Sequence, residues 1–257
     1  MTIVLLTDFG ESEYVGMVKG VILNICPNVK IVDLTHNIEK YNIRHASFIL
    51  EKSYPYFPKG SIFLAVVDPG VGTKREGVII KTKEYIFIGP NNGIFGFLKN
   101  VERAIRIKVN LKNVSSTFHA RDVFAPIAAK IACGSKIEKF GDEKIKIVKI
   151  DQSPPEKLGK KIVGEVLYAD SFGNIITNIP KSMLSYTPGE KLILKIGDKK
   201  YATKFVKSYG FANIGELVLV IGSSDMLEIA INQGNAKKNL KVKGGEKIEV
   251  EKCEDCS

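Results

Sequence analysis

Ser61-Ile62-Phe63-Leu64-Ala65-Val66-Val67-Asp68-Pro69-Gly70-Val71-Gly72-Thr73-Lys74-Arg75 carries the first signal in the chain. The apolar run after Gly60 reads as a buried strand. It ends on a carboxylate, Asp68. Pro69 then fixes φ, and Gly70 and Gly72 allow a sharp turn or close approach to a ligand. Arg75 follows within reach of the same turn. A carboxylate and a guanidinium beside bare backbone fit a small-molecule site; they fit a structural turn with a surface ion pair as well.

The same pattern recurs around this stretch. Ile3–Leu6 is a short apolar run ending in Thr7-Asp8-Phe9-Gly10, and Val29–Leu34 ends in Asp33-Leu34-Thr35-His36. Glu84–Ile88 ends in Gly89-Pro90-Asn91-Asn92-Gly93. Between them, Tyr14–Ile25 and Arg44–Tyr54 carry apolar residues at helical spacing, with Val15, Val18, Ile22 and Ile25 on one stripe and Ala46, Ile49 and Leu50 on the other. Strands alternating with helices predict an α/β N-terminal domain with a largely parallel sheet. Ligands of such sheets bind beyond the carboxyl ends of the strands. Asp8, Asp33, Asp68 and Asn91/Asn92 therefore become candidates for one site, against the alternative that they cap helices and make turns. Asp8-Phe9-Gly10 matches a kinase motif in letters only, because the glycine loop and catalytic loop are missing.

Ser115-Ser116-Thr117-Phe118-His119-Ala120-Arg121-Asp122 leads into an apolar segment, Val123–Cys133, that reads as a helix with Asp122 as its N-cap. Of the three histidines, His119 has the most polar neighbours in sequence. Charge rises from Lys136 to Lys160, and Ser153-Pro154-Pro155-Glu156 is the best linker. The expected division is therefore residues 1–155 and 156–257. Beyond it lie short strand-like runs: Ile162–Tyr168, Ile175–Ile179, Lys191–Ile196, Tyr201–Val206, Glu216–Ile221, Leu227–Ile231 and Lys247–Val250. Their spacing and turn residues predict a C-terminal all-β barrel-like domain. Two of its loops, Asp170-Ser171-Phe172-Gly173-Asn174 and Gly222-Ser223-Ser224-Asp225-Met226-Leu227-Glu228, the latter followed by Asn232-Gln233-Gly234, are polar enough to hold a ligand, although either could be an ordinary turn.

Composition narrows the function classes. The 257 residues are 44% hydrophobic and 26% charged, typical of a soluble globular protein. No apolar run approaches the ~18 residues of a membrane helix. The opening Thr2-Ile3-Val4-Leu5-Leu6 is not led by a basic region, which predicts a cytoplasmic protein. The formal net charge is +10, yet the lysines are dispersed and tryptophan is absent. That pattern argues against nucleic-acid binding and suits a heat-adapted surface. The four cysteines, at 26, 133, 253 and 256, make no disulfide framework, and Cys253-Glu254-Asp255-Cys256 lacks a second ligand pair for zinc. No metal site is expected.

The motifs LLTDFG, YVGMVKGVI, IVDLTH, VVDPGVGT with Arg75, GPNNG, TFHARD and DSFGNIITNI, in this order, resemble those of the S-adenosylmethionine hydrolases, or SAM hydroxide adenosyltransferases. That family is related to SAM-dependent fluorinases and chlorinases. The resemblance implies an α/β domain followed by a β-barrel, and a homotrimer with sites shared between subunits. It implies S-adenosyl-L-methionine as substrate and adenosine as product, with no cofactor. It assigns Asp68, Arg75 and His119 to a catalytic triad and Asp8 to the ribose hydroxyls. Asp170, Phe172 and Asn174 are assigned to the methionine or adenine parts, and Ser223 and the backbone near Gln233 to weaker contacts. Halogenating members carry an aromatic hydroxyl where this chain has Asp68, and a hydroxyl residue near Val71, so the hydrolytic pattern is matched. Ala120 stands where many members have glycine.

The implied chemistry is attack by water on ribose C5′, with the sulfonium as leaving group. Asp68 would orient the water or take its proton, helped by Arg75 and His119. Arg75 is expected to lower the pKa of Asp68 and make it a weak base. The alternatives are a halide adenosyltransferase and a SAM- or adenosine-binding sensor without turnover.

Overall fold

The apolar run before Asp68 is continuous because its strand is covered on both faces. The computed structural model describes residues 1–108, 114–142, 145–151 and 153–253 and divides the chain into Met1–Asp151 and Gln152–Ser257. The first unit contains β1 (Thr2–Thr7), α1 (Glu13–Ile25), β2 (Lys30–Thr35), α2 (Ile43–Ser53) and β3 (Ile62–Val66). It continues with β4 (Gly77–Thr82), β5 (Ile86–Pro90), β6 (Val101–Ile107), α3 (Ala125–Ala132) and β7 (Gly141–Asp142). The sheet order is β2-β1-β3-β5-β4-β6-β7, with β2, β1, β3 and β5 mutually parallel.

In β3, Ile62, Leu64 and Val66 pack into one core with α1 and α3, through Val18, Ile22, Ala125 and Ala128. Phe63 and Ala65 point the other way, into a second core with Ala46 and Leu50 of α2 and with Phe87 and Phe95. β1 divides in the same manner, Ile3 and Leu5 against Val4 and Leu6. This two-sided burial is why both strands read as unbroken apolar runs.

The sequence reading lacks β4 and β6, which are antiparallel to their neighbours. β6, Val-Glu-Arg-Ala-Ile-Arg-Ile, is half exposed and rich in charge. Its strand character comes from pairing with β4, which no local pattern announces. The helix over 123–133 is also revised. Ala120–Phe124 forms a π turn before α3 begins at Ala125, and Asp122 lies inside that turn. Its carboxylate accepts from Ser115 N and pairs with Arg121, so it is not the N-cap. Pro126, with no N–H to donate, suits the change of winding at this point.

The second unit holds β8 (Glu156–Leu158), β9 (Lys161–Ala169), β10 (Ile175–Pro180), β11 (Lys191–Ile196) and β12 (Lys199–Phe205). It also holds β13 (Leu217–Ile221), β14 (Met226–Ile231), α4 (Ala236–Leu240) and β15 (Lys247–Lys252). The order β10-β14-β13-β12-β11-β15-β9-β8, together with pairing of β10 to β9, closes a barrel. Ile175, Leu192, Leu194, Leu219, Leu227, Ile229, Ile248 and Val250 fill its interior. No described helix is long and apolar enough to cross a membrane.

The expected absence of a disulfide framework is overturned. Cys26, at the end of α1, is bonded to Cys133, at the end of α3, across 107 positions. Cys253 is disulfide-bonded as well; Cys256 lies outside the described residues. The spacing gives no hint of the Cys26–Cys133 pair, because the two helix ends meet only once α1 and α3 share one face of the sheet. Closing so long a loop is expected to contribute about 2–5 kcal/mol. Reduction should therefore lower the thermal midpoint of the wild type. A Cys26→Ser/Cys133→Ser variant should start lower and lose much less on adding reductant.

Candidate active site

Asp68 follows β3 and lies at the carboxyl edge of the sheet. Arg75 returns on the same loop and grips it with both arms. Nε donates to Asp68 Oδ1 at 3.0 Å, and an Nη donates to Oδ2. Both side chains are nearly buried, at 10% exposure for Arg75 and 6% for Asp68. The same Nη lies 3.3 Å from His119 Nδ1. A guanidinium can only donate, so Nδ1 accepts and the imidazole proton resides on Nε2. The Arg75 guanidinium also lies over the Phe124 ring, 5.5 Å from its centre.

Burial raises the Asp68 carboxyl above the 3.8 of a free aspartate, even though Arg75 pulls it down. The expectation of a lowered pKa is thus reversed. Desolvating a carboxylate costs several kcal/mol, and an ion pair at 4 Å returns about 4 kcal/mol at an effective dielectric near 20. The two are of similar size, and here burial prevails. His119 is lowered below 6.5, first by burial and then by the Arg75 charge. The lowering favours the neutral imidazole.

The loops are held together by backbone. Gly72 has φ +76°, and a Cβ there would lie 2.2 Å from the carbonyl oxygen of Ser116. Only glycine lets the Asp68 loop touch the segment leading to His119. Asp8, Asp68 and His119 line one cavity of about 490 Å³, with Phe9, Tyr14, Lys40, Tyr41, Phe118 and Arg121 among its other walls. Phe9, Tyr14 and Phe118 form an edge-to-face cluster with ring centres 5.0–6.0 Å apart. Asp8 Oδ2 accepts from Tyr41 N at 3.0 Å, and Lys40 Nζ donates to the Asp8 carbonyl at 2.6 Å. Tyr41 has φ +64°, a strained conformation for tyrosine. The sequence reading misses Lys40 and Tyr41, which reach Asp8 from the loop after β2; no local motif marks them.

The remaining strand-end candidates do not join this cavity. Asp33 is bound by Lys19 at 2.5 Å and lines a different hollow with His36. Asn91 Nδ2 donates to the Lys146 carbonyl and its Oδ1 accepts from Val148 N, while Asn92 Nδ2 donates to the Val67 carbonyl. Both asparagines serve as structural ties.

In the β unit, the Asp170–Asn174 loop is a self-bonded turn. Asp170 Oδ1 accepts from Phe172 N and Asn174 N, and Oδ2 accepts from Asn174 Nδ2 at 3.0 Å. Gly173, at φ +88°, passes so close to Asn235 that any Cβ would collide with it. The turn leaves Phe172 77% exposed. Ser223 is exposed, and so is Gln233, which has φ +53°. Among the described residues no group of His, Cys, Asp and Glu is arranged to hold a metal ion.

The His119 imidazole, followed by NMR, is expected to titrate below 6.5 in the wild type. Arg75→Gln removes one of the two causes that lower it, so the midpoint should rise. An unchanged midpoint would remove Arg75 from the environment of His119.

Comparison with known proteins agrees in both units. Residues 3–141 match the N-terminal domain of the SAM hydroxide adenosyltransferases, and residues 164–249 match their C-terminal domain. The chain is 38% identical to the (R)-S-adenosyl-L-methionine hydrolase of Methanocaldococcus jannaschii, over 96% of this chain and 95% of that one. It is 34% identical to the enzyme of the same name from Thermus thermophilus, over 93% and 95%. Fluorinases match at lower identity, 27% for that of Nocardia brasiliensis, over 96% of each chain. A crystal structure of a conserved Thermotoga maritima protein superposes with a TM-score of 0.89 at 38% identity, covering 96% of this chain and 99% of that one. With both domains matched in order over nearly its whole length, the chain belongs to the SAM hydroxide adenosyltransferase family.

Proposed function

We propose that this protein hydrolyses S-adenosyl-L-methionine to adenosine and L-methionine. The observation that carries the reading is the Asp68–Arg75–His119 constellation at the wall of a cavity that also holds the Asp8 carboxylate. A water oxygen bonds to ribose C5′ as the C5′–S bond breaks. The electron pair stays on sulfur, which becomes the thioether of methionine. The proton of the water leaves through Asp68, whose burial makes it a stronger base than a free carboxylate. Arg75 fixes the carboxylate in two places, and neutral His119 offers Nε2–H to an oxygen. The sulfonium leaves without an acid, so the residues mainly supply position. Asp8 suits a vicinal diol, because a carboxylate can accept a hydrogen bond from each hydroxyl.

A halide nucleophile needs donors around it, and the Asp68 oxygens only accept. This favours water over halide. Incubation with S-adenosyl-L-methionine and chloride should give adenosine; a 5′-chloro product would support the halide reading, and no turnover would support a sensor. In oxygen-18 water the label should enter the adenosine 5′-oxygen.

In the finer reading the protein is a cytoplasmic homotrimer. Asp170, Phe172, Asn174, Ser223 and the backbone at Gln233 of one chain complete the cavity of its neighbour around the methionine and adenine parts. Its support is the family resemblance, together with an exposed aromatic beside a rigid polar turn. A cytoplasmic disulfide is compatible with heat adaptation.

Asp68→Ala should lower kcat about 10²–10⁴-fold with little change in KM. Wild-type turnover in this variant would remove Asp68 from the mechanism. Only ionised Asp68 is a base, so kcat should fall as pH drops through its raised pKa. The acid limb should lie above 3.8 and disappear from the residual rate of Asp68→Asn.

Inactive Asp68→Ala and Asn174→Ala chains test the shared site. After subunit exchange, verified by native mass spectrometry, mixed trimers should regain activity. Exchange without recovery would place the whole site in one chain.

A further inference from the structure

The carboxyl ends of β1 and β2 are tied by a polar chain that ends beside Asp8. Thr7 is 3% exposed, and its Oγ1 lies 2.8 Å from His36 Nδ1. The same oxygen accepts from Phe9 N at 3.2 Å. On its other side, His36 Nε2 lies 3.0 Å from Asp33 Oδ1, a close contact not aligned as a hydrogen bond. Lys19 Nζ holds the other Asp33 oxygen at 2.5 Å. Asp33 draws the imidazole proton to Nε2, which leaves Nδ1 to accept from the Thr7 hydroxyl. That hydroxyl then turns a lone pair to Phe9 N. The backbone repeats the tie, with Gly10 N donating to the His36 carbonyl at 2.8 Å and Ile38 N to that of Thr7 at 3.4 Å.

Asp8 lies between Thr7 and Phe9, so the residues on both sides of it are held by one hydroxyl. Its own Oδ2 is held by Tyr41 N, on the loop that follows His36. Neither His36 nor Asp33 lines the cavity that contains Asp8. Lys19 already balances Asp33, so an ion pair alone leaves the Thr7–His36 bond without a purpose. We propose that Thr7, His36 and Asp33 form a positioning relay that sets the angle of the Asp8 carboxylate for a ribose diol. These three are positioning residues, and the inference rests on Asp8 being the diol acceptor.

The test compares binding of adenosine and 2′,3′-dideoxyadenosine by calorimetry. The wild type should prefer adenosine about 10- to 100-fold, as expected for hydrogen bonds to a charged group. Asp8→Ala should abolish the preference. Thr7→Val, close in shape but without the hydroxyl, and His36→Leu should lose most of it while keeping wild-type affinity for the dideoxy nucleoside. Thr7→Ser, which restores the hydroxyl, should recover it. With S-adenosyl-L-methionine, Thr7→Val should raise KM about as many fold as it loses preference and leave kcat within about twofold. If Thr7→Val and His36→Leu keep the wild-type preference, or weaken both nucleosides equally, the relay is overturned while the role of Asp8 stands. If Asp8→Ala keeps the preference, the diol reading of Asp8 fails, and the relay fails with it.

Discussion

A carboxylate and a guanidinium taken out of water together are the constraint on which the site depends. Asp68 or Arg75 alone in that place would be costly, because an unpaired buried charge costs several kcal/mol. The pair is therefore a geometric lock. Two parallel donors set the plane of the carboxylate, and the Nη facing His119 assigns the imidazole tautomer. Phe124, at the end of the π turn, carries the guanidinium face. Wide turns of this kind often occur at functional sites. Here the turn places His119 and Phe124 on two sides of one arginine.

This lock needs a rigid base. β3 supplies it, being central, parallel to both neighbours and buried on both faces. A charged end on such a strand cannot shift without moving two cores. The Cys26–Cys133 bond secures α1 to α3, the helices that cover one of those cores. The stability of the fold and the accuracy of the site thus draw on the same contacts.

Two similar-looking carboxylates take different roles from their surroundings. Asp68 is buried beside a fixed cation and becomes a raised, positioned base. Asp33, more exposed and bound by Lys19 and His36, is lowered below the usual value; burial opposes the shift, and the contacts with Lys19 and His36 outweigh it. Both lie near the carboxyl ends of strands in one sheet. The sign of each shift is a property of packing, which is why reading Asp68 from Arg75 alone gave the wrong direction.

Much was legible in the chain itself. The apolar runs and their polar ends announced the parallel part of the first sheet, and regular short strands announced the barrel. Gly72 marked a turn whose necessity appears only beside Ser116. Local pattern reaches as far as the next turn, so it found Asp8, Asp68, Arg75 and His119 as types of residue in suggestive places. It could not separate Asp33, Asn91 and Asn92 from them, because strand ends look alike until the sheet brings some together and turns others away. The antiparallel strands β4 and β6, the disulfide, the π turn and the Thr7–His36 bond all join segments far apart in sequence. The sequence determines which groups can do chemistry. Tertiary structure alone decides which of them share a dry space, since burial and distance, not residue type, set charge, tautomer and reach.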